Sequence, residues 1–346
     1  MNSANKESLH LRRENKETWF RIGEFLQKNM PWVILVIACV VFSMFSGNFF
    51  RLNNIINILN QNAYVVVAAI GISFIMMSGS LDLSVGYQMS LIGILSAMLM
   101  RDYHAPVAVT FLFAIGLGIG LCLLNMVLSL KLKLPLMMVT VGTMTIYQGF
   151  SYEISQSETI GGFSKAFKFL GQGYVGKIPF SIILTAVLFL IFSFFLNKTY
   201  WGRYVYALGG NEEAAHLAGI HVTKVKIMIA CIAGGMVGLS SMMLVSRLGS
   251  TQSAIGPGTE FTVITGILLG GVSIRGGEGR LSGVLAGILI MAILSNGMQL
   301  AGMGIYIQYI AKGAIMLAAI GFDVYQLSRR QKVKKKKEKI EVAAEA

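Results

Sequence analysis

Charged side chains are scarce in the middle of this sequence. The 346 residues include 29 Lys and Arg and 16 Asp and Glu, and 21 of these charges lie within residues 1–28 and 329–346. The 300 residues between carry about one charge in twelve, whereas an ordinary soluble domain carries about one in four. Hydrophobic residues make up 55% of the chain, and its mean hydropathy is +0.67. These values exclude a set of soluble globular domains and predict a membrane protein.

Cysteine, histidine and nucleotide-binding motifs are also few or missing. The three cysteines, Cys39, Cys122 and Cys231, fall in apolar runs, and their odd number argues against a disulfide framework. No two of the four histidines have the spacing of metal ligands on one helix. The sequence has no Gly-x-x-x-x-Gly-Lys-Ser/Thr loop for nucleotide phosphates. We therefore expect no catalytic site, metal, cofactor or ATPase site, so any energy source is a partner protein or an ion gradient.

Long apolar runs are the main feature that the sequence does have. Ten runs of about 17–24 residues are bounded by charged or turn residues, and each is long enough to form a membrane-spanning helix. Continuous runs favour helices over a β-barrel, whose strands alternate in shorter stretches. The predicted fold is an all-α polytopic membrane protein with about ten transmembrane helices. The runs are 30–46, 62–79, 85–100, 105–128, 134–150, 179–197, 226–246, 261–275, 281–300 and 304–325.

Lysine and arginine indicate the orientation of these runs. With residue 1 in the cytoplasm, the inner segments carry 22 Lys and Arg and the outer segments six, as the excess of positive charge in cytoplasmic loops requires. We expect both termini in the cytoplasm, with a leader over 1–29, a transmembrane domain over 30–325 and a basic tail over 326–346. Topology explains the net charge of +13, so no nucleic acid partner is expected. The run 332–339 is expected to contact anionic lipid or to remain a solvated tail.

Two glycine-containing segments interrupt the apolar pattern and are predicted to be broken or re-entrant. Ser78 to Gly86 joins two apolar runs with almost no loop, and Gly270 to Arg280 joins two others about 190 residues later. Such interruptions in corresponding positions suggest a weak internal duplication and a transport pathway, because irregular backbone at membrane depth needs surrounding protein or a cavity. The alternative is two ordinary tight turns. The predicted pathway or gate residues are Gly79, Asp82, Ser84, Gly86, Gly270, Gly271, Gly276, Gly277, Asn296 and Gln299.

Two ionisable residues are predicted within the membrane. Asp82 either holds its loop by accepting backbone hydrogen bonds or contacts a solute. Lys312 either pairs with a carboxylate or extends toward the interface. Several uncharged polar residues suit a hydroxylated solute or form interhelical hydrogen bonds; they are Asn125, Thr140, Thr143, Asn296, Gln299 and Gln308.

Other glycine patterns predict close helix packing rather than function. They are Gly116-x-Gly118-x-Gly120, Gly234-Gly235-x-x-Gly238 and Gly283-x-x-x-Gly287.

A short cytoplasmic helix is predicted within residues 208–220. Asn211 is a suitable N-cap, and Glu212 and Glu213 follow in the first turn, where they favour the positive end of the helix dipole. Gly219 is suitable for the C-terminal end. The apolar side is mostly alanine, which is too small for strong lipid anchoring, so docking to another protein is favoured over an interfacial helix.

This helix resembles the coupling helix of ABC importer permeases, which sits in a groove of the ATPase subunit. The wider pattern resembles the monosaccharide-type permeases, the ribose, galactose, xylose and arabinose group that includes autoinducer-2 importers. The resemblance covers about residues 50–325, and Ile274-Arg275 departs from it. The matching stretches are Asp82-Leu83-Ser84-Val85-Gly86, Gly202-Arg203 with Ala207-x-Gly209-x-Asn211, Ala214-Ala215-x-x-x-Gly219-Ile220, Gly270-Gly271-x-Ser273-x-x-Gly276-Gly277, Asn296-Gly297 and Gly313 to Asp323.

The resemblance implies a multi-pass permease of the bacterial cytoplasmic membrane, without ATPase activity of its own. It implies a second membrane subunit, either a copy or a paralogue, together with ATP-binding subunits and an extracytoplasmic binding protein that delivers the sugar. Hexoses, pentoses and autoinducer-2 stay open as solutes. The implied coupling-helix residues are Arg203, Asn211, Glu212, Glu213, Ala214, Ala215, Gly219 and Ile220.

The alternative function is an ion-coupled secondary carrier of a small polar solute. Such a carrier needs titratable groups in its spans and no ATPase dock, and this sequence has the opposite balance. A channel or membrane enzyme is disfavoured because no charged ring or catalytic cluster is present.

Overall fold

The computed structural model describes residues 29–45, 47 and 49–345, which are mostly helical. The predicted leader lies outside the described residues except for Asn29. The predicted tail continues the last helix without a break. The helices are α1 (Met30–Phe45), α2 (Leu52–Met77), α3 (Val85–Asp102), α4 (Val107–Leu132), α5 (Leu136–Ser155), α6 (Lys165–Gln172), α7 (Phe180–Lys198), α8 (Tyr200–Gly210), α9 (Glu212–Leu217), α10 (Val222–Leu248), α11 (Thr259–Leu269), α12 (Leu281–Leu300) and α13 (Ile305–Glu345).

Each of the ten predicted apolar runs overlaps one helix, which confirms an all-α polytopic membrane protein. Among the described helices, α2, α4, α7, α10, α12 and α13 up to Tyr325 are long and apolar enough to cross a membrane. Helices α1 and α11 are apolar but shorter. Helices α3 and α5 include more polar side chains, such as Gln88 and Gln148, which lower their hydropathy.

The start of α2 differs from the prediction, because the helix begins at Leu52 rather than at residue 62. Asparagines lower the hydropathy of its first ten residues, although the bundle satisfies two of their amides. Asn54 bonds Asn296 of α12, and Asn60 accepts a hydrogen bond from Ser181 of α7. A hydropathy window registers the polar amide but not the partner that makes its burial acceptable.

Helices α2 and α10 form the centre of the bundle. Nearly all side chains from Ala63 to Met77 of α2 and from Ala233 to Ser246 of α10 are buried. Around them, α4 packs along α10, and α11 packs along α12. Helices α4, α7 and α13 direct large apolar side chains outward, including Leu112, Leu190 and Leu317.

Small helices and strands mark the two ends of the bundle. The pair α8 and α9 lies where α2 ends and α10 begins, and we call this the α9 end. The far end carries α6 and two small antiparallel pairs. Strand β1 (Ile160–Gly161) pairs with β4 (Ser250–Thr251), and β2 (Tyr174–Val175) pairs with β3 (Ile178–Pro179).

Only some members of the predicted glycine patterns permit close packing. A Cβ atom on Gly118 of α4 would overlap the Gly234 carbonyl oxygen of α10, and one on Gly287 of α12 would lie 2.6 Å from the Gly270 nitrogen. Gly116 and Gly120 have no atom within 4 Å of such a Cβ. The i, i+2 spacing alternates between faces of a helix, so only the middle residue of that pattern reaches α10.

We predict that Gly118→Ala destabilises the protein by about 1–3 kcal/mol, because the added methyl separates α4 from α10. Gly116→Ala adds the same methyl two residues away, where the space is open. It is expected to leave stability unchanged or slightly higher. Thermal unfolding of both variants in one detergent measures the difference, and equal midpoints would contradict the close α4–α10 contact.

Candidate functional site

The predicted short helix is present as α9. The Asn211 side chain accepts a hydrogen bond from the Ala214 N–H at 2.9 Å, as an N-cap does. Gly219, at φ +84°, ends the helix, and the Ile220 N–H donates to the Ala215 carbonyl oxygen at 3.0 Å. The helix covers 212–217, whereas residues 208–210 belong to α8.

The outward face of α9 carries small residues, two glutamates and a projecting leucine. Ala215 is buried against the bundle, whereas Glu213, Ala214 and Gly219 are exposed, and Leu217 is 82% exposed. At its base, the Glu212 carboxylate pairs with the Lys226 ammonium of α10 at 2.7 Å. A projecting leucine between small residues suits insertion into a groove of another protein.

Helix α8 joins α9 to the transmembrane helices. Val205 and Leu208 bury one face of α8, whereas Arg203 is exposed. The Tyr206 hydroxyl donates to the Gly279 carbonyl oxygen at 2.9 Å, and burial raises the pKa of this tyrosine. Helix α8 therefore holds α9 at one end and contacts the second broken segment with its side.

Four glycines bring three parts of the chain into backbone contact at the α9 end. Gly79 follows α2, Gly209 lies in the last turn of α8, and Gly276 and Gly277 belong to the second broken segment. The Gly277 N–H donates to the Met77 carbonyl oxygen at 2.8 Å. A Cβ atom on Gly276 would lie 3.0 Å from the Gly209 Cα atom and 2.5 Å from the Gly79 Cα atom. We call these four residues the glycine junction.

The glycine junction needs glycine for two different reasons. Gly79, Gly276 and Gly277 have φ values of +80°, +81° and +75°, which L residues with a side chain rarely adopt. Gly209 is helical, but a Cβ atom there would overlap the Met77 carbonyl oxygen. The junction therefore joins α8 with both broken segments, which the sequence placed far apart.

The two broken segments begin with the same helix ending. After α2, Gly79 N–H donates to Met76 and Ser80 N–H to Ile75; after α11, Gly271 N–H donates to Leu268 and Val272 N–H to Ile267. Both endings are Schellman motifs with glycine at positive φ. The same motif also ends α9 at Gly219 and α12 at Gly302, so it is a general helix ending in this chain and the internal duplication stays a prediction.

Asp323 of α13 holds the second segment from its other side. Its carboxylate accepts hydrogen bonds from the Ile274 N–H at 3.2 Å and the Ser273 hydroxyl at 3.4 Å. Arg275, where the sequence departs from the family pattern, is exposed and places its carbonyl oxygen near Gly79. Its side chain is therefore directed away from the junction.

The segment that includes Asp82 lies inside the bundle. The buried Asp82 carboxylate accepts hydrogen bonds from the Ser84 N–H at 2.8 Å and the Ser84 hydroxyl at 2.6 Å. Asn125 donates to the Ser84 hydroxyl at 3.0 Å, and Asn125 lies seven residues, or about 10 Å, before the end of α4. Asp82 thus stabilises an irregular loop and the buried start of α3.

A matching interruption at residues 249–258 was missed by sequence reasoning. Helix α11 has 11 residues, or about 16 Å, which is too short to cross a hydrocarbon core of about 30 Å. The preceding segment therefore enters the bundle without helical structure, and the Gly256 N–H donates to the Ser90 hydroxyl at 3.0 Å. Gly86 and Gly256 are in backbone contact where α3 and α11 begin.

Glu260 occupies the start of α11 as Asp82 occupies that of α3. Its buried carboxylate accepts two hydrogen bonds from the Gly258 N–H, both at 3.0 Å. A carboxylate is favourable at the positive end of a helix dipole. Because the predicted run began at residue 261, Glu260 was placed just outside the membrane. The sequence Gly256-Pro257-Gly258, two residues before Glu260, could have indicated an interrupted helix here.

The other predicted pathway residues do not join this site. Asn296 and Gln299 lie near the far end of α12, about 20 Å or more from its first residue Leu281. Asn296 forms a reciprocal amide pair with Asn54, both hydrogen bonds being 3.1 Å. Gln299 is exposed.

Most of the uncharged polar candidates bond within the chain. Thr140 accepts from the Leu83 N–H, Asn125 bonds Ser84 and Tyr147, and Gln308 donates to the Met303 carbonyl oxygen. Among the described side chains, ion pairs join Arg101 to Asp102 and Glu212 to Lys226, so Lys312 has no carboxylate within 4 Å there.

We predict that Gly209→Ala disrupts the glycine junction, because the new methyl group overlaps the Met77 carbonyl oxygen. The expected cost is about 1–3 kcal/mol of stability together with a loss of solute uptake. Gly210→Ala is the matched control, since no atom lies within 4 Å of a Cβ at Gly210. Unfolding midpoints and uptake by membrane vesicles check both variants, and equal behaviour would contradict the junction.

Comparison with known proteins supports the family resemblance. The chain is 34% identical over 316 residues to the ribose import permease protein RbsC of Haemophilus influenzae, covering 90% of this chain and 98% of that protein. It is 37% identical over 300 residues to RbsC of Bacillus subtilis, covering 86% and 93%. It is 36% identical over 302 residues to the L-arabinose transport system permease protein AraH of Escherichia coli, covering 87% and 91%.

No solved structure matches the chain in a structural comparison. Residues 54–320, which include the glycine junction, α9 and both buried carboxylates, match a family of membrane permeases. The chain therefore belongs to the family described as the branched-chain amino acid transport system / permease component.

Proposed function

We propose that this chain is the transmembrane permease subunit of an ATP-driven importer for a monosaccharide or a similar small hydroxylated solute. The observation that carries the proposal is the glycine junction, which connects a projecting short helix with both interrupted segments of the bundle. Relatives that cover nearly the whole chain are named for ribose import and L-arabinose transport, and both sugars are small and uncharged.

The α9 face is the proposed dock for an ATP-binding subunit, which hydrolyses ATP. Glu213, Ala214 and Leu217 enter its groove, and Asn211 and Gly219 define the two ends of the helix. Movement of α9 then passes along α8 to Gly209 and from there to Met77 and Gly277. Because these contacts are between backbones, no side chain can change rotamer and absorb the displacement. Such coupling needs an element with two arrangements, one favoured by the nucleotide.

The proposed topology has ten crossings, nine formed by α1–α5, α7, α10, α12 and α13 and one formed by α11 together with the segment 249–258 that precedes it. The α9 end faces the cytoplasm, as the distribution of Lys and Arg predicts, and both termini lie there. The segments 78–84 and 249–258 are broken parts of two crossings. Each enters the bundle without helical structure and precedes a helix that starts inside the bundle. The far end then faces an extracytoplasmic binding protein that delivers the solute in a bacterial cytoplasmic membrane.

The proposed second membrane subunit, a copy or a paralogue, covers α5 and α13. The outward face of α5 carries Gly142, Thr145, Gly149 and Tyr152 at helical spacing, all exposed. On α13, Gly313 and Gly321 are exposed as well. These positions lie among exposed large apolar side chains such as Ile146 and Leu317, and small residues there let a helix of the second subunit approach closely.

A polar stripe between two subunits also suits the solute. Thr145 and Tyr152 offer hydroxyl groups to a sugar without placing a charge on the path. The buried carboxylates Asp82 and Glu260 already accept hydrogen bonds from their own helix starts, so they need no ion or solute as a partner. This arrangement favours the importer over the ion-coupled carrier, in which a titrating group must exchange its partner.

We predict that an ATP-binding subunit copurifies with the tagged protein from gently solubilised membranes. Glu213→Lys combined with Gly219→Leu should abolish the copurification, because the first reverses a charge in the dock and the second strains a position at φ +84°. Glu158→Lys makes the same charge reversal at an exposed site at the far end. Mass spectrometry of the eluates is the measurement.

Retention of the ATPase by the double variant would exclude α9 as the dock. Purification of the unaltered protein without any ATPase would favour the ion-coupled carrier and direct attention to Asp82, Glu260 and Lys312.

We predict that Thr145→Cys, in a variant with Cys39, Cys122 and Cys231 replaced, forms an intermolecular disulfide in membranes treated with a mild oxidant. Leu190→Cys on the outward apolar face of α7 is the matched control and should stay monomeric. Non-reducing gel electrophoresis separates the products. Cross-linking at Leu190 but not at Thr145 would contradict the assignment. A cross-linked product with twice the mass of the chain would identify the second subunit as another copy rather than a paralogue.

A further inference from the structure

A small β-hairpin at the far end of the bundle carries an exposed apolar patch. Strands β2 and β3 present Tyr174, Val175 and Ile178, and Phe169 of α6 lies beside them. Each of the four side chains is between 44% and 54% exposed. We call these four residues the hairpin patch.

The hairpin is fixed to the first turn of α7. Phe180, the first residue of α7, donates its N–H to the Gly173 carbonyl oxygen at 2.9 Å. The Phe169 and Phe180 rings lie 5.2 Å apart, and Tyr174 pairs with Pro179 across the hairpin. The depth of the hairpin in the membrane is therefore the depth at which α7 begins.

On the other side, α6 is bonded to the centre of the bundle. The Gly171 N–H donates to the Ser246 hydroxyl at 2.8 Å, and that hydroxyl donates to the Phe167 carbonyl oxygen at 2.7 Å. Phe167 and Leu170 are buried, so α6 directs Phe169 away from the protein. The position of the hairpin patch is set by these contacts rather than by a flexible loop.

The hairpin patch lies at the start of α7, whose outward surface is apolar further along the helix. Val187, Leu190, Ile191 and Phe194 are exposed along α7, and α7 is long and apolar enough to cross a membrane. A surface of this composition on a transmembrane helix faces lipid. Because the hairpin directly precedes the first residue of α7, the patch lies at the level of the lipid headgroups.

The chemistry of the hairpin fits that level. Tyrosine is enriched at membrane interfaces because its ring is apolar and its hydroxyl is polar. Lys177 at the hairpin tip and Lys165 on α6 are exposed, and their amines suit anionic phosphates. We propose that the hairpin patch inserts into the headgroup region of the lipid leaflet at the far end of the bundle, and so fixes the depth of α7.

Fluorescence quenching in lipid nanodiscs tests this insertion. The full chain, with Cys39, Cys122 and Cys231 replaced, carries a single Val175→Cys labelled with an environment-sensitive dye, in phosphatidylcholine and phosphatidylglycerol. A nitroxide near the headgroup end of the acyl chain should remove most of the emission at Val175. Leu190→Cys, about 15 Å further along α7, is the positive control for a second nitroxide near the methyl end of the acyl chain, and Glu158→Cys, exposed at the far end, should remain unquenched by either nitroxide.

If the dye at Val175→Cys is quenched no more than the dye at Glu158→Cys, the proposal is overturned. Emission that is shifted to the blue but not quenched by lipid would show a protein contact instead, and would overturn it as well. If the cysteine-free chain does not fold, Ile178→Trp in the otherwise native chain provides a second measurement. Brominated lipid should then quench more tryptophan emission than it does in the native protein, and an unchanged fraction would contradict insertion.

Discussion

The structure depends on one backbone contact, in which the Gly277 N–H donates to the Met77 carbonyl oxygen at 2.8 Å. This bond closes the glycine junction and brings the end of α2, the end of α8 and the second broken segment together. A packed contact between backbones cannot be compressed, so a displacement of α8 must move its neighbours. Helix α9 begins one residue beyond the end of α8, so the proposed dock is connected through α8 to this junction.

The same need to satisfy backbone groups explains the two buried carboxylates. Helices α3 and α11 begin inside the bundle, where their first N–H groups have no water. Asp82 and Glu260 supply acceptors for the loops that precede these helices, and their negative charge lies at the positive ends of two helix dipoles. Both charges are thus used within the fold, which agrees with an uncharged solute and an external source of energy.

Two kinds of outward surface divide the rest of the molecule. Helix α7 and the hairpin patch expose large apolar side chains, as a surface in contact with lipid does. Helices α5 and α13 also expose large apolar side chains, such as Ile146 and Leu317, but they carry exposed glycines between them, where another helix can approach closely. The exposed glycines of α5 and α13 are the basis for proposing a second subunit there, whereas the surface of α7 suits lipid.

Much of this protein was predictable from local sequence. Continuous apolar runs located ten helices, and Asn211 with Gly219 located α9, because hydrophobicity and capping depend on neighbouring residues. The convergence of Gly79, Gly209 and Gly277 was not predictable, and neither was the pairing of Asn54 with Asn296 nor the burial of Glu260. In each case a residue of ordinary local character acquires its role from a partner far away in the chain. The sequence by itself located the ten apolar helices and α9, but not α6 or most of α8, because hydrophobicity and capping are local. The tertiary structure alone decided which glycines meet, because close approach depends on the packing of whole helices.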